Sequence, residues 1–139
     1  MRLGIRLLNV GASLNSFKQV DLIRVSRGET LDLVFQLVDL DQAGLRYIPA
    51  AGATVQVQIQ RAIDIQPVDR YSRLTVDPTI DRAADVAFVG DSSIYKLPLV
   101  EADTNNLVSN SFRVILTEGV NKKIATLSQA IKVIDSQES

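Results

Sequence analysis

Three segments alternate apolar and polar residues with a period of two. Leu31, Leu33, Phe35 and Leu37 alternate with Thr30, Asp32, Val34 and Gln36. Val55, Val57 and Ile59 alternate with Gln56, Gln58 and Gln60. Phe112, Val114 and Leu116 alternate with Arg113, Ile115 and Thr117. Successive side chains of a β-strand point to opposite faces, so this period predicts half-buried strands with one face on a core and one facing out.

Weaker segments extend the pattern. Leu3, Ile5 and Leu7 share a face if the start of the chain is extended, with Arg2 and Arg6 opposite. Residues 1–16 are therefore expected to form an edge strand of the domain or an N-terminal arm that pairs with a neighbour's sheet. In the arm reading, removing residues 1–10 weakens assembly and leaves the sandwich folded. Val20 to Ser26 reads as a weak strand, and Arg27-Gly28-Glu29 as a tight turn. Asp41-Gln42-Ala43-Gly44 and Pro49–Gly52 read as turns. The stretch 62–92 is broken by Pro67, Pro78, Gly90 and many Asp residues. Short strands near Leu74–Val76 and Val86–Val89 are expected there, within a hairpin or a projecting excursion.

Ile94–Val100 is a strand whose Pro98 places it at an edge or near its end. Glu101 to Asn106 is a connector with room for one helical turn. Phe112–Thr117 leads through Glu118-Gly119-Val120-Asn121 into Ile124–Ile134, a long strand with a bulge near Ser128. About seven short strands at regular spacing predict an all-β, antiparallel sandwich over 17–139.

Composition narrows the function classes. A chain of 139 residues is one domain's worth, and this size buries roughly 68% of its unfolded surface. Fifteen basic and 16 acidic residues give a net charge of −1, so counterion release contributes little and nucleic acid is not an expected partner. With no Cys and no His, disulfides, Cys/His zinc sites and thiol or imidazole mechanisms are absent. Arg6 interrupts the first apolar run after three residues, so no signal peptide is expected, and no window reaches the length of a membrane span.

Candidate chemistry is sparse. Asp39-x-Asp41-x-x-Gly44 starts like a calcium loop, but Ala43 and Ala50 stand where the fifth and twelfth ligands belong, so a turn is expected. Asp64, Asp69, Asp77, Asp81, Asp85 and Asp91 are interspersed with Arg61, Arg70, Arg73 and Arg82, the pattern of a mutually screened surface. Tyr47, Tyr71 and Tyr95 are the rings available for stacking on a ligand. Ten of the 15 basic residues are Arg, whose planar fork suits protein interfaces. No cofactor, no metal and no catalytic residue is expected.

The order of Arg27-Gly28-Glu29-Thr30-Leu31, Ile48-Pro49-Ala50-Ala51-Gly52-Ala53-Thr54-Val55, Tyr95-Lys96-Leu97-Pro98-Leu99, Ala102-Asp103-Thr104 and Ser111-Phe112-Arg113-Val114 resembles a known pattern. It is similar to the immunoglobulin-like β-sandwich domain of bacteriophage tail and baseplate proteins, such as the N-terminal domain of baseplate upper proteins. The likeness covers about residues 20–135, and Asn110-Ser111 stand before Phe112 where that family usually has a Gly. The resemblance implies a non-enzymatic structural subunit of a virion (tail, baseplate or neck), assembled in the host cytoplasm. It implies other virion proteins as partners and a homo-oligomer or ring, with no membrane involved. A capsid decoration protein and a glycan- or receptor-binding module are the alternatives. The expected assembly surface is Arg2, Leu3, Ile5, Arg6 and Leu7 of the N-terminal segment with Arg70, Tyr71 and Arg73 of the excursion.

Overall fold

A computed structural model of the chain describes residues 1–8, 18–59, 80–88, 90–105 and 110–134. Its strands are β1 (Leu3–Leu8), β2 (Ile23–Ser26), β3 (Leu31–Asp39), β4 (Leu45–Arg46), β5 (Thr54–Ile59), β6 (Ile80–Ala83), β7 (Asp85–Phe88), β8 (Asp91–Leu99), β9 (Asn110–Glu118) and β10 (Asn121–Ile134). A short helix, α1 (Glu101–Asn105), follows β8, and a 3-10 turn (Leu40–Gln42) follows β3.

The strands form two sheets. The first has the order β1-β3-β8-β7, with β4 paired to the end of β3. The second has the order β2-β10-β9-β5-β6. β1, β3, β8 and β7 thus occupy the A, B, E and D positions of an immunoglobulin sandwich. β10, β9 and β5 occupy G, F and C, with β6 added outside β5 as in variable-type domains. The fold is an all-β, immunoglobulin-like β-sandwich. Every named pair is antiparallel except β2 on β10, which is parallel, with Ile23 opposite Ile131.

The inward faces are those the alternation marks. Leu33, Phe35 and Leu37 of β3 and Tyr95, Leu97 and Leu99 of β8 meet Val55, Val57, Ile59, Phe112, Val114 and Leu116 of the opposite sheet. At the centre the Phe35 ring stacks on Tyr95 and tilts against Phe112, each at 6.1 Å between centroids. β10 shifts register between Leu127 and Ile131, which is the bulge expected near Ser128. The shift turns two successive residues, Ala130 and Ile131, inward. Beyond it, β10 takes β2 as a partner on its other side.

Several expectations change. The described residues hold ten strands in place of about seven; among them β4 has two residues and β6 shows no alternation. Within the stretch 62–92, where a hairpin or an excursion was expected, Ile80–Ala83 and Asp85–Phe88 are strands that belong one to each sheet. Residues 60–79, with the strand expected near Leu74–Val76, lie outside the described residues. β8 is an inner strand between β3 and β7, so Pro98 marks its end and not an edge; β7 pairs only as far as Lys96.

β3 is not half-exposed. Val34, Gln36 and Val38 are buried on the outward face, and Val34 packs with Leu8 and Ile94 in a second, smaller cluster. A central strand flanked by bulky neighbours on both sides is covered by them even where no second layer is intended.

Tethers close the sandwich. Arg82 of β6 donates to Asp103 at 2.8 Å, joining the second sheet to the segment after β8. Asp103 also accepts the Val100 amide, as the third residue of a capping box does. Thr104, fully buried, donates to the Glu29 carbonyl and accepts the Gly28 amide, fixing the turn between β2 and β3. Gly28 has φ 89°, a left-handed conformation for which glycine is suited.

Candidate interaction surface

The register of the strands gathers one set of loops at one end. β1 starts opposite the end of β3, with Leu3 facing Asp39. β5 starts where β9 finishes, with Thr54 facing Thr117. The β9–β10 hairpin turns at Gly119-Val120, and β8 begins beside the top of β3. This end therefore holds the N-terminus, the 40–53 connection, the start of β8 and the 119–120 turn.

Eight large apolar residues are exposed among the described residues, and five of them are here. Leu40, Leu45, Ile48 and Val120 are exposed from 45% for Leu40 to 99% for Val120; the fifth is Met1, whose side chain is only 15% exposed. Single exposed apolar residues are ordinary; a concentration of them on one set of loops is the feature that marks a contact surface.

The loops that carry them are braced. Glu118, at the end of β9, accepts the Tyr47 hydroxyl at 2.7 and 2.8 Å and the Ala50 amide at 2.8 Å. The Ala50 amide, the Tyr47 hydroxyl and the field of Lys123 hold the Glu118 carboxyl below the usual range. The same carboxylate, with partial burial, pushes the Tyr47 hydroxyl up to about 12. This clasp ties the loop bearing Ile48 to the hairpin bearing Val120.

A second brace runs from β1. Arg6 donates to the Gly44 carbonyl at 2.7 Å and to Gln36 at 3.1 Å. Gln36 donates to Ser93, whose hydroxyl donates to Asp91 at 2.5 Å, and Arg46 closes the chain on Asp91 at 3.1 Å. Burial pushes the Asp91 carboxyl up, but the Ser93 hydroxyl and amide and the Arg46 guanidinium outweigh it and hold it low. Ser93 is fully buried, so its hydroxyl is a link in this chain and out of reach of any substrate.

The Asp39–Gly44 segment is a turn, as expected. Asp39 caps the 3-10 turn by accepting the Asp41 amide at 2.9 Å. Ala43 has φ 57°, a left-handed conformation that strains a residue with a Cβ, and Gly44 follows at φ 75°. Asp41 is engaged by Arg2 at 3.0 Å and by the N-terminal amine at 3.4 Å, and the Arg2 bond holds its carboxyl low. Among the described residues no group of three His, Cys, Asp or Glu side chains could hold a metal ion.

The expected assembly residues fall differently. Leu3 and Leu7 are buried in the core between the sheets, and Ile5 packs against it. They serve the chain's own fold and offer no apolar face to a neighbour, because β1 pairs along its length with β3. Arg6 is committed to Gly44 and Gln36, and Arg2, exposed, to Asp41. Arg70, Tyr71 and Arg73 lie outside the described residues. Of the tyrosines considered for stacking, Tyr47 is bound to Glu118 and Tyr95 is a core ring. The loop-end residues escaped notice in the sequence because each is a lone apolar residue in a turn; only the topology collects them.

No protein-family model and no curated protein matches the chain. Among solved structures it is similar to a chimeric titin Z1Z2-Z1Z2 tandem functionalized with a GRGDS exogenous peptide from fibronectin. That likeness has 14% identity and a TM-score of 0.36, over 98% of this chain and 46% of the tandem, so the chain spans less than half of that protein's length.

Proposed function

We propose that the chain is a structural subunit that works by protein–protein assembly, with the braced loop end as its contact surface. The observation that carries this reading is the group Leu40, Leu45, Ile48 and Val120, exposed at one end on loops held by Glu118 and Arg6. Loops already fixed lose little conformational entropy on docking, so their apolar side chains contribute more of their burial to affinity. A bacteriophage virion (tail, baseplate or neck) is the setting that the sequence resemblance implies, with capsid decoration as its variant.

The test uses Leu45→Ser/Ile48→Ser in the full chain, with binding measured to purified products of the genes flanking this one and to the chain itself. The expected result is a loss of at least about tenfold in affinity with an unchanged unfolding midpoint, since both side chains are solvent-exposed. Equal binding by the variant, or no association of the native chain with itself or with any of those products, overturns the proposal.

A further inference from the structure

Away from the loop end, Ile124 in the first half of β10 is 51% exposed. β10 has β9 beside it throughout Asn121–Leu127. On its other side β2 pairs only from Ile131 onward. β1 comes near β10 at the margin of the sandwich, but it is paired to β3 in the other sheet, and no backbone bond among the described residues joins it to β10. Asn121–Leu127 is thus a sheet edge that no strand among the described residues covers.

The hairpin decides which residues this edge presents. Its turn has two residues, Gly119 at φ 60° and Val120, between the register partners Glu118 and Asn121. The pair that closes a two-residue hairpin exchanges both of its main-chain bonds, and bonded and non-bonded pairs alternate from there. Asn121, Lys123, Ala125 and Leu127 therefore direct their N–H and C=O groups to β9. Lys122, Ile124 and Thr126 turn theirs away from it, to the open side.

The side chains of Lys122, Ile124 and Thr126 are exposed on the outward face. Ala125 and Leu127 face the core. Ile124 lies opposite the half-buried Ile115 of β9. No proline, glycine or register shift interrupts Asn121–Leu127. An uninterrupted edge of this kind is a template for another strand.

We infer that a second copy of this chain pairs here, β10 to β10 and antiparallel, about a two-fold axis through Ile124. In that register Ile124 meets its own counterpart and Lys122 meets Thr126. These residues turn their main-chain groups outward in both copies, so each pair exchanges both of its bonds. On the outward face Ile115 and Ile124 of the two copies form one continuous row across the joint. On the inward face Lys123 comes opposite Ala125. No Lys then stands opposite a Lys, whereas a two-fold moved to Lys122 or Lys123 sets like charges directly against each other, which destabilises a sheet.

The strand is therefore its own complement in one register, which is what a two-fold contact requires and why a second copy is the occupant. The second sheets of the two copies become one continuous sheet. The inference rests on the assembly reading above for its purpose but uses none of the loop-end side chains.

Sedimentation velocity and amide hydrogen exchange of the full chain test it. The native chain is expected to dimerise as its concentration rises, and the Lys122, Ile124 and Thr126 amides to exchange more slowly as it does. I124K and I124E each place like charges on the axis and are expected to weaken dimerisation at least about tenfold. Ile124 is exposed, so both variants are expected to keep the native unfolding midpoint. Their equimolar mixture regains the dimer, because Lys then meets Glu. The chain has no Cys. A bonded antiparallel pair sets its Cα atoms about 5.5 Å apart, within disulfide reach, so I124C is expected to oxidise to a linked dimer faster than V100C at another exposed site.

A native chain still monomeric at about 1 mM overturns the inference. So does I124K dimerising like the native chain, a mixture that stays monomeric, or I124C linking no faster than V100C. Protection of the three amides only when a product of a flanking gene is added gives the edge to a foreign strand and also overturns it. If Leu45→Ser/Ile48→Ser abolishes self-association while I124K does not, the edge pairing fails and the loop-end proposal stands.

Discussion

Replacing Leu7 by Ala separates an integral β1 from a detachable arm. Leu7 is 1% exposed and lies in the cluster between the sheets. Truncating a buried Leu to Ala costs about 2–5 kcal/mol, from lost transfer energy and the cavity left behind. β1 is an edge strand and can settle inward, so the lower part of that range applies, about 2–3 kcal/mol. For a domain of this size that corresponds to a drop of roughly 6–12 °C in Tm. In urea the midpoint should fall with the slope m unchanged, because the surface exposed on unfolding hardly differs. Ile5→Ala, at a half-buried site, is expected to lose only about 1 kcal/mol.

The cost of Leu7→Ala should not vary with protein concentration, since Leu3 and Leu7 pack into their own molecule. Removing residues 1–8 deletes Leu3, Leu7, Leu8 and the Arg6 contacts together and bares the edge of β3, so the shortened chain is expected to fold poorly and aggregate. This reverses the sequence expectation that the sandwich survives that loss. A Leu7→Ala cost below about 0.5 kcal/mol, or a cost that grows with protein concentration, would refute the placement of β1 as part of this fold.

Glu118→Gln should return the Tyr47 hydroxyl from about 12 toward its ordinary 10, read by tyrosinate absorbance. Because the Glu118 carboxyl is lowered from 4.5 and the Tyr47 hydroxyl raised from 10.0, the clasp's stabilisation is full between those values. It is lost as pH falls through the lowered Glu118 value and as pH rises from 10 to about 12, and a flat pH–stability profile on both sides would contradict it. Gly4→Ala places a Cβ within 2.7 Å of Leu40 Cδ2 and 3.0 Å of Val38 Cγ2. It should cost about 1–3 kcal/mol, with most of the loss recovered in Gly4→Ala/Leu40→Ala, the coupling being measured as a double-mutant cycle. Thr104→Val keeps the shape but strands the Gly28 amide and the Glu29 carbonyl, for an expected loss of about 1–3 kcal/mol and faster hydrogen exchange at Gly28.

The parts of the fold that could be read from the sequence are those in which one strand's own pattern decides its burial. β5 and β9 keep strict alternation because each has one face on the core and one outward, and their inward residues are those the pattern marks. The bulge expected near Ser128 falls at the register shift of β10, where Leu127 pairs with Phe112 and Ile131 with Asn110. β6 was not, since Ile80-Asp81-Arg82-Ala83 has one buried residue and no periodicity. The parallel β2–β10 pair was not either: it depends on residues about a hundred positions apart coming together, and no local signal distinguishes parallel from antiparallel pairing in a four-residue strand.

The site was less legible than the fold for a related reason. Arg2 and Arg6 alternating with Leu3, Ile5 and Leu7 look like an amphipathic surface strand. The pattern says only that the two faces differ, not which partner each meets. The apolar face met the chain's own core, and Arg6 on the outward face met its register partner Gln36 and the Gly44 carbonyl. Met1, Leu40, Leu45, Ile48 and Val120 have no spacing in common, and they become neighbours at one end only through the strand order.

The size of the loop-end surface bears on how it is used. Four exposed apolar side chains, gaining about 1 kcal/mol each on burial, supply roughly 4 kcal/mol. Association costs about 4–15 kcal/mol in lost translational and rotational freedom, so a lone pairwise encounter through these residues has little surplus. The same contact repeated among many linked copies becomes intramolecular after the first, and its effective concentration rises without any new interaction. On the assembly reading proposed above, a modest apolar end therefore suits a many-copy assembly, in which the array supplies the affinity that one loop end lacks, better than capture of a single partner.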